Sequence, residues 1–80
     1  MTKQEKSKCD ELIIEAIQCL QQADLRYKQM KQSEAKEDRL FLEKDGLCKQ
    51  NYAEGIFQAL SVIGYNSELM KRFDKIFKGE

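Results

Sequence analysis

Eighty residues, 41% hydrophobic and 35% charged, make one small domain, too apolar for a disordered chain and too polar for a membrane protein. Fourteen basic and fourteen acidic residues cancel, which argues against a general nucleic-acid or membrane-surface binder, because such affinity draws on excess positive charge. There is no histidine, so the commonest general base and metal ligand is missing, and no enzyme, metal or cofactor is expected.

The N-terminal stretch from Met1 to Glu11 is polar and no apolar signal core follows it, so the expected location is cytoplasmic. The apolar run Leu12-Ile13-Ile14 is far short of the roughly 20 residues a spanning helix needs, so no membrane association is expected. With no proline and few β-branched residues in alternation, helices are expected throughout. Cys9, Ile13, Ala16, Leu20, Ala23, Tyr27 and Met30 follow alternating spacings of four and three, a coiled-coil-like stripe flanked by Leu12 and Ile17. The small residues Ala16 and Ala23 let a partner helix approach closely at their levels. Ser7 is the expected cap, with Asp10 and Glu11 in the first turn. This predicts a first helix over about 5–31.

From Lys31 to Arg39 the stripe disappears, and two hairpins compete. In one, the first helix runs to Lys44 and turns at Asp45-Gly46. In the other, the chain reverses near Gln32-Ser33, Ser33 caps the next helix, and that helix continues through Gly46. The late turn sets Tyr52, Ile56 and Leu60 against the polar levels of Arg39, Ala35 and Lys31. The early turn brings Phe41 level with Ala23, Cys48 with Ile17, and Tyr52 with Ile13. Apolar then meets apolar, at about 0.8 kcal/mol per buried methylene, against about 1 kcal/mol for one glycine inside a helix. The early turn is therefore expected, with a second helix over about 34–63. Its inner side is read as Phe41, Cys48, Tyr52, Ile56, Ala59 or Leu60, and Ile63, with Gly55 on or beside the stripe. Gly64 stands where a helix C′ residue belongs, and Asn66 or Ser67 can cap a third helix over about 67–78. Leu69, Met70, Phe73, Ile76 and Phe77 share one face of it.

The expected architecture is thus all-α: one domain over residues 1–80, an antiparallel coiled-coil-like hairpin plus a short C-terminal helix, completed by dimerisation. Leu12, Ile17, Leu40, Leu42, Leu47, Phe57 and Val62 flank the main stripes, and a short third helix leaves much of that surface open. Uncovered apolar surface on this scale marks an interface. A homodimer covers it most economically, and docking on a larger protein comes next. The residues assigned to self-association or partner binding are Leu12, Ile13, Ile17, Leu20, Tyr27, Phe57 and Tyr65. Residues 1–9 and 69–80 each carry a net charge of +2 and the middle −4, a distribution that suits head-to-tail or antiparallel self-association, though charges this small decide little.

Little else carries chemistry. Cys9, Cys19 and Cys48 lack metal-ligand spacing and read as reduced, small apolar side chains. The carboxylate pairs Glu11/Glu15 and Glu34/Asp38 read as solvated faces. An alternative function rests on residues 58–78, where a helix-turn-helix-like corner presents Lys71, Arg72, Lys75 and Lys78 to nucleic acid. Against it stand the neutral chain and the large apolar residues of that last helix. In general style the chain is similar to the short, lysine- and glutamate-rich helical hairpins encoded by phages and mobile elements, which often act by binding a host enzyme, for example one of host defence. No diagnostic motif carries that likeness, and no functional residue is transferred from it. The function expected is a non-catalytic regulator or inhibitor that works by protein–protein binding.

Overall fold

The computed structural model describes residues 1–79, and among them the secondary structure is wholly helical. Helix α1 spans Lys3–Gln32, α2 spans Lys36–Val62 and α3 spans Glu68–Lys78. Thr2, rather than Ser7, begins α1. Its hydroxyl accepts from the Glu5 N–H at 3.1 Å, while its own N–H donates to the Glu5 carboxylate at 3.4 Å. This reciprocal box satisfies two otherwise orphaned donors, so the helix starts one turn earlier than the position of Ser7 suggests.

The chain reverses at residues 33–35, directly after Gln32. Ser33 and Ala35 both hold extended backbone (ψ 133° and 126°), which ends one helix and starts the next. Ser33 is the C-cap of α1, not the N-cap of α2. The N-cap position of α2 is Ala35, which has no side-chain acceptor, and Glu37 and Asp38 complement the helix dipole in its place. α2 runs unbroken through Gly46. It ends at Gly64 (φ 79°), where the Tyr65 N–H donates to the Leu60 carbonyl at 2.9 Å and the Gly64 N–H to that of Ser61 at 3.0 Å. Only a residue free of the Cβ penalty takes this left-handed position easily. Ser67 then caps α3 by accepting from the Met70 N–H at 3.3 Å.

α1 buries the stripe read from its spacing. Cys9, Ile13, Ala16, Leu20 and Ala23 are all buried, joined by Ile17. α2 does not bury the face that its large side chains indicated. Phe41, Tyr52 and Ile63 are 67%, 50% and 60% exposed, and Cys48 and Ala59 are exposed too. Instead the inner seam runs Leu42, Gly46, Lys49, Ala53, Ile56 and Leu60, about one residue round the helix. Tyr27 is the reason. Its ring lies flat against Gly46, so close that a Cβ there would stand 3.1 Å from the ring edge. At seven-residue steps from this contact, Leu20 falls level with Ala53 and Ile13 with Leu60. Small residues of α2 thus receive large ones of α1, which lets the two backbones approach.

Polar pairs fix the same register on the flanks. Arg26 meets Asp45 at 2.9 Å, the Tyr27 hydroxyl donates to Gln50 at 3.0 Å, and the Tyr52 hydroxyl donates to Glu15 at 3.1 Å. Tyr52 therefore lies beside Glu15 rather than level with Ile13.

α3 covers one groove of the hairpin and runs parallel to α1. Tyr65, just before it, donates to Asp10 and, at 3.3 Å, to the Lys6 carbonyl. Leu69 and Arg72 then flank Ile14 and Ile17, and Ile76 and Phe77 reach the level of Leu20 and Ala23. Met70 and Phe73 are buried, and Phe73 stacks on Phe57 of α2 at 4.6 Å. Beyond Tyr27 the hairpin continues as two helices alone, which gives the molecule its 50 × 21 × 17 Å extents.

Candidate binding surface

The seven residues that the sequence assigned to an interface divide sharply by burial. Ile13, Ile17 and Leu20 are 0%, 5% and 7% exposed and form the internal core, so they are not available to a partner. Tyr65 is also buried, as the clasp between the end of α2 and the start of α1. Tyr27 and Phe57 are half-buried, held by Gly46 and Gln50 and by Phe73 respectively. Leu12 alone of the seven is exposed. The reason is the third helix, which supplies Met70 and Phe73 to the groove that the hairpin would otherwise leave open.

Five of the eleven exposed large apolar side chains, Leu40, Phe41, Leu47, Tyr52 and Val62, lie on α2, with Ile63 as its C-cap. Phe41, Cys48, Tyr52, Gly55, Ala59 and Val62 are exposed along a flank of α2 one residue round from its inner seam, where the Tyr52 hydroxyl still reaches Glu15 of α1, and Asp45, tied to Arg26, completes their spacing of four and three. Leu40 and Leu47 lie beside this outer stripe, 48% and 45% exposed. Val62, at 87%, is the most exposed large apolar side chain of the chain. A second seam therefore runs along α2, parallel to the first and uncovered. The α2 sequence carries two stripes one residue apart, and the expected inner one takes most of its residues from the exposed one.

The charges near this face are quiet. Asp45 is held by Arg26 and, at 3.6 Å, by Lys49. From residue 50 to 63 the one charged side chain is Glu54, on the opposite flank. Glu15 accepts from Tyr52, and that hydrogen bond, reinforced by the carboxylate charge, pushes the phenol pKa upward. Cys19 sits one turn from Glu15, where burial first and the Glu15 charge second raise its thiol against an opposing pull from Lys49. A thiol held protonated is a poor nucleophile. All three cysteines are free, with Cys9 buried, Cys19 half-buried and Cys48 exposed.

Tyr65 has a direct consequence for pH. Its hydroxyl donates to Asp10, and this bond, with burial second, raises the phenol pKa above its unfolded value near about 10. A raised pKa means that the contribution to stability is complete below about pH 10 and is lost as pH climbs through the folded value. Urea midpoints should therefore drop between about pH 8 and about pH 11, and Tyr65→Phe should flatten that drop. An unchanged alkaline slope in the variant would place the sensitivity elsewhere.

Lys71, Arg72, Lys75 and Lys78 are all exposed on α3. Lys71 lies 3.3 Å from Glu68 and Lys78 lies 2.9 Å from Asp74, so local carboxylates answer part of this positive face. Among the described residues no helix is long and apolar enough to cross a membrane, and no group of three cysteine or carboxylate side chains gathers where it could hold a metal ion. Comparison with protein-family models, with characterised proteins and with solved structures finds no match to the chain.

Proposed function

We propose that this chain is a non-catalytic helical binding protein, a regulator or inhibitor that acts by contact with a larger protein through the outer face of α2. The supporting observation is the exposure of Phe41, Tyr52, Val62 and Ile63 along a helix whose other face already has its packing partners. An apolar strip left open on an otherwise charged chain is kept at a cost in solubility, and contact with another protein removes that cost. Aromatic and aliphatic anchors of this kind supply most of the energy at protein interfaces.

The test is affinity capture of a larger protein from lysate of the source cell, with and without nuclease, using the native chain and Phe41→Asp. Stoichiometric capture by the native chain, indifferent to nuclease and lost with Phe41→Asp, is the expected result. Capture that survives Phe41→Asp would place the contact elsewhere. A second reading, a small nucleic-acid-binding regulator, is favoured by the four exposed cations of α3. Under it, nucleic acid appears in the eluate, disappears with nuclease and high salt, and weakens with Arg72→Ala.

A further inference from the structure

Independently of that surface, we infer that the α1–α2 connection is a hinge, at which the hairpin opens to exchange α2 and α3 with a second copy of the chain. The reversal at residues 33–35 holds no strong turn former. From Lys28 to Asp45 the sequence has no glycine, proline or asparagine, and no β-branched side chain. Ser33 and Ala35 take extended backbone, no described residue other than glycine has a positive φ, and α2 begins without a side-chain cap. The other corner is built differently, with Gly64 at φ 79° and Ser67 capping α3. Local chemistry therefore fixes the α2–α3 corner, whereas contacts across the inner seam hold the hairpin closed. Taken by itself, the stretch 28–45 favours one continuous helix. A fused helix would pair the trailing carbonyls of α1 with the leading N–H groups of α2, which lack helical partners in the hairpin.

Exchange keeps the contacts of the seam. In the opened pair each α1 receives the partner's α2, so Tyr27 meets the partner's Gly46, Arg26 the partner's Asp45, and Tyr65 the partner's Asp10, as each does within one chain. The helical phase permits this. Fifteen residues separate Tyr27 from Leu42, which at about 3.6 per turn is about 60° past four full turns. Both seams therefore stay on one side of the fused helix. The stretch that newly faces its counterpart is matched in charge. Continued past the turn, the register of the inner seam sets Glu34 level with the partner's Arg39 and Lys36 level with the partner's Glu37. The two-fold axis repeats both pairs. Opposite charges at one level fix the register of such a pair more than its affinity. The exchange of an identical element is a low-cost route to a dimer, since the core it rebuilds is the one already selected.

The deciding experiment refolds the full chain from urea at roughly 1 μM and at roughly 1 mM, and sizes the products by mass-resolved sedimentation. A species of twice the 9.4 kDa chain mass is expected from the concentrated sample. Lys36→Pro is the selective variant. Ala35 already has the extended backbone that proline requires before it, and an N–H at the first helical position has no helical acceptor to lose. A fused helix does not accept proline there. The variant should keep the helicity of the monomer and weaken the dimer about a hundredfold or more. Spin labels at Leu12→Cys and Ser61→Cys, in a Cys19→Ser, Cys48→Ser background, give a second readout that needs no proline. These positions lie at one level of the hairpin, whereas in a fused helix they stand about 74 Å apart at about 1.5 Å per residue. Refolded with an excess of unlabelled chain, the dimer should lose the short separation that the monomer shows. A monomer at both concentrations, a dimer that survives Lys36→Pro, or a dimer that retains the short separation would overturn the exchange.

Discussion

Ile13→Asp is expected to leave the chain largely unfolded at neutral pH. Ile13 is fully buried at the centre of the hairpin, level with Leu60 and surrounded by Cys9, Ala16 and Ile17. Removing a buried isoleucine costs about 2–5 kcal/mol for lost transfer energy and the cavity left behind. A carboxylate in its place finds no cation, because among the described residues the core contains no buried polar or charged side chain. Desolvating that charge adds several kcal/mol more. Together these approach or exceed the about 5–15 kcal/mol that stabilises a whole domain, and an 80-residue chain belongs at the low end of that range. The sign with pH is also fixed. Burial raises the introduced carboxyl's folded-state pKa above its unfolded value near about 4, so its penalty is smallest below that pH and grows as pH rises through it. Circular dichroism at about pH 7 and about pH 3 should show a smaller deficit against the native chain in acid. A variant as helical as the native chain at neutral pH would remove Ile13 from the core.

Phe73→Ala should cost about 3–5 kcal/mol, the range for a deeply buried aromatic side chain. Phe73 is 1% exposed and stands between two other rings, Phe57 at 4.6 Å and Phe77 at 6.2 Å. The Phe57 stack joins α3 to α2, so its loss falls on the whole three-helix end. For a chain of this size the thermal midpoint should fall by about 15 °C or more. Thermal melts followed at 222 nm would check both the midpoint and its cooperativity. A small early transition confined to α3, with the hairpin melting at its native temperature, would instead make α3 an appendage.

The helical class and the core stripe of α1 were legible because periodicity carried them. Ile13, Leu20 and Tyr27 recur every seven residues, and Ala16 and Ala23 between them read correctly as points of close approach. The early reversal was legible for the same reason, since only that turn sets apolar against apolar. The face of α2 was not. Its inner seam contains Gly46, Lys49 and Ala53, a glycine, a lysine and an alanine, which hydrophobicity alone ranks below Phe41, Cys48 and Tyr52. Lys49 lies along the seam with its stem packed and its charge beside Asp45. What selects this face is the volume of Tyr27 on the other helix, a property of the pair and invisible along one strand of sequence. Of the α2 residues expected inward, Ile56 and Leu60 do face the seam, whereas Phe41, Cys48, Tyr52 and Ile63 are left exposed. The cap of α1 lies outside the apolar periodicity, since the Thr2–Glu5 capping box stands more than a turn before Cys9.

The unequal reach of the three helices has a consequence for how the molecule moves. From the level of Asp10 to that of Tyr27 the cross-section has three layers, and from Lys28 to Asp45 it has two. Opening events therefore begin at the turn and travel inward as fraying, and they stop where α3 starts. Backbone amides near residues 33–41 open cheaply and often, whereas those around Ile13, Leu60 and Phe73 open only when everything does. The three-layered end should therefore exchange its amides as one block and the two-helix arm, which carries Phe41 at 67% exposure, ahead of it. A side chain presented on a segment that breathes can search several poses against a partner before the block behind it has to yield.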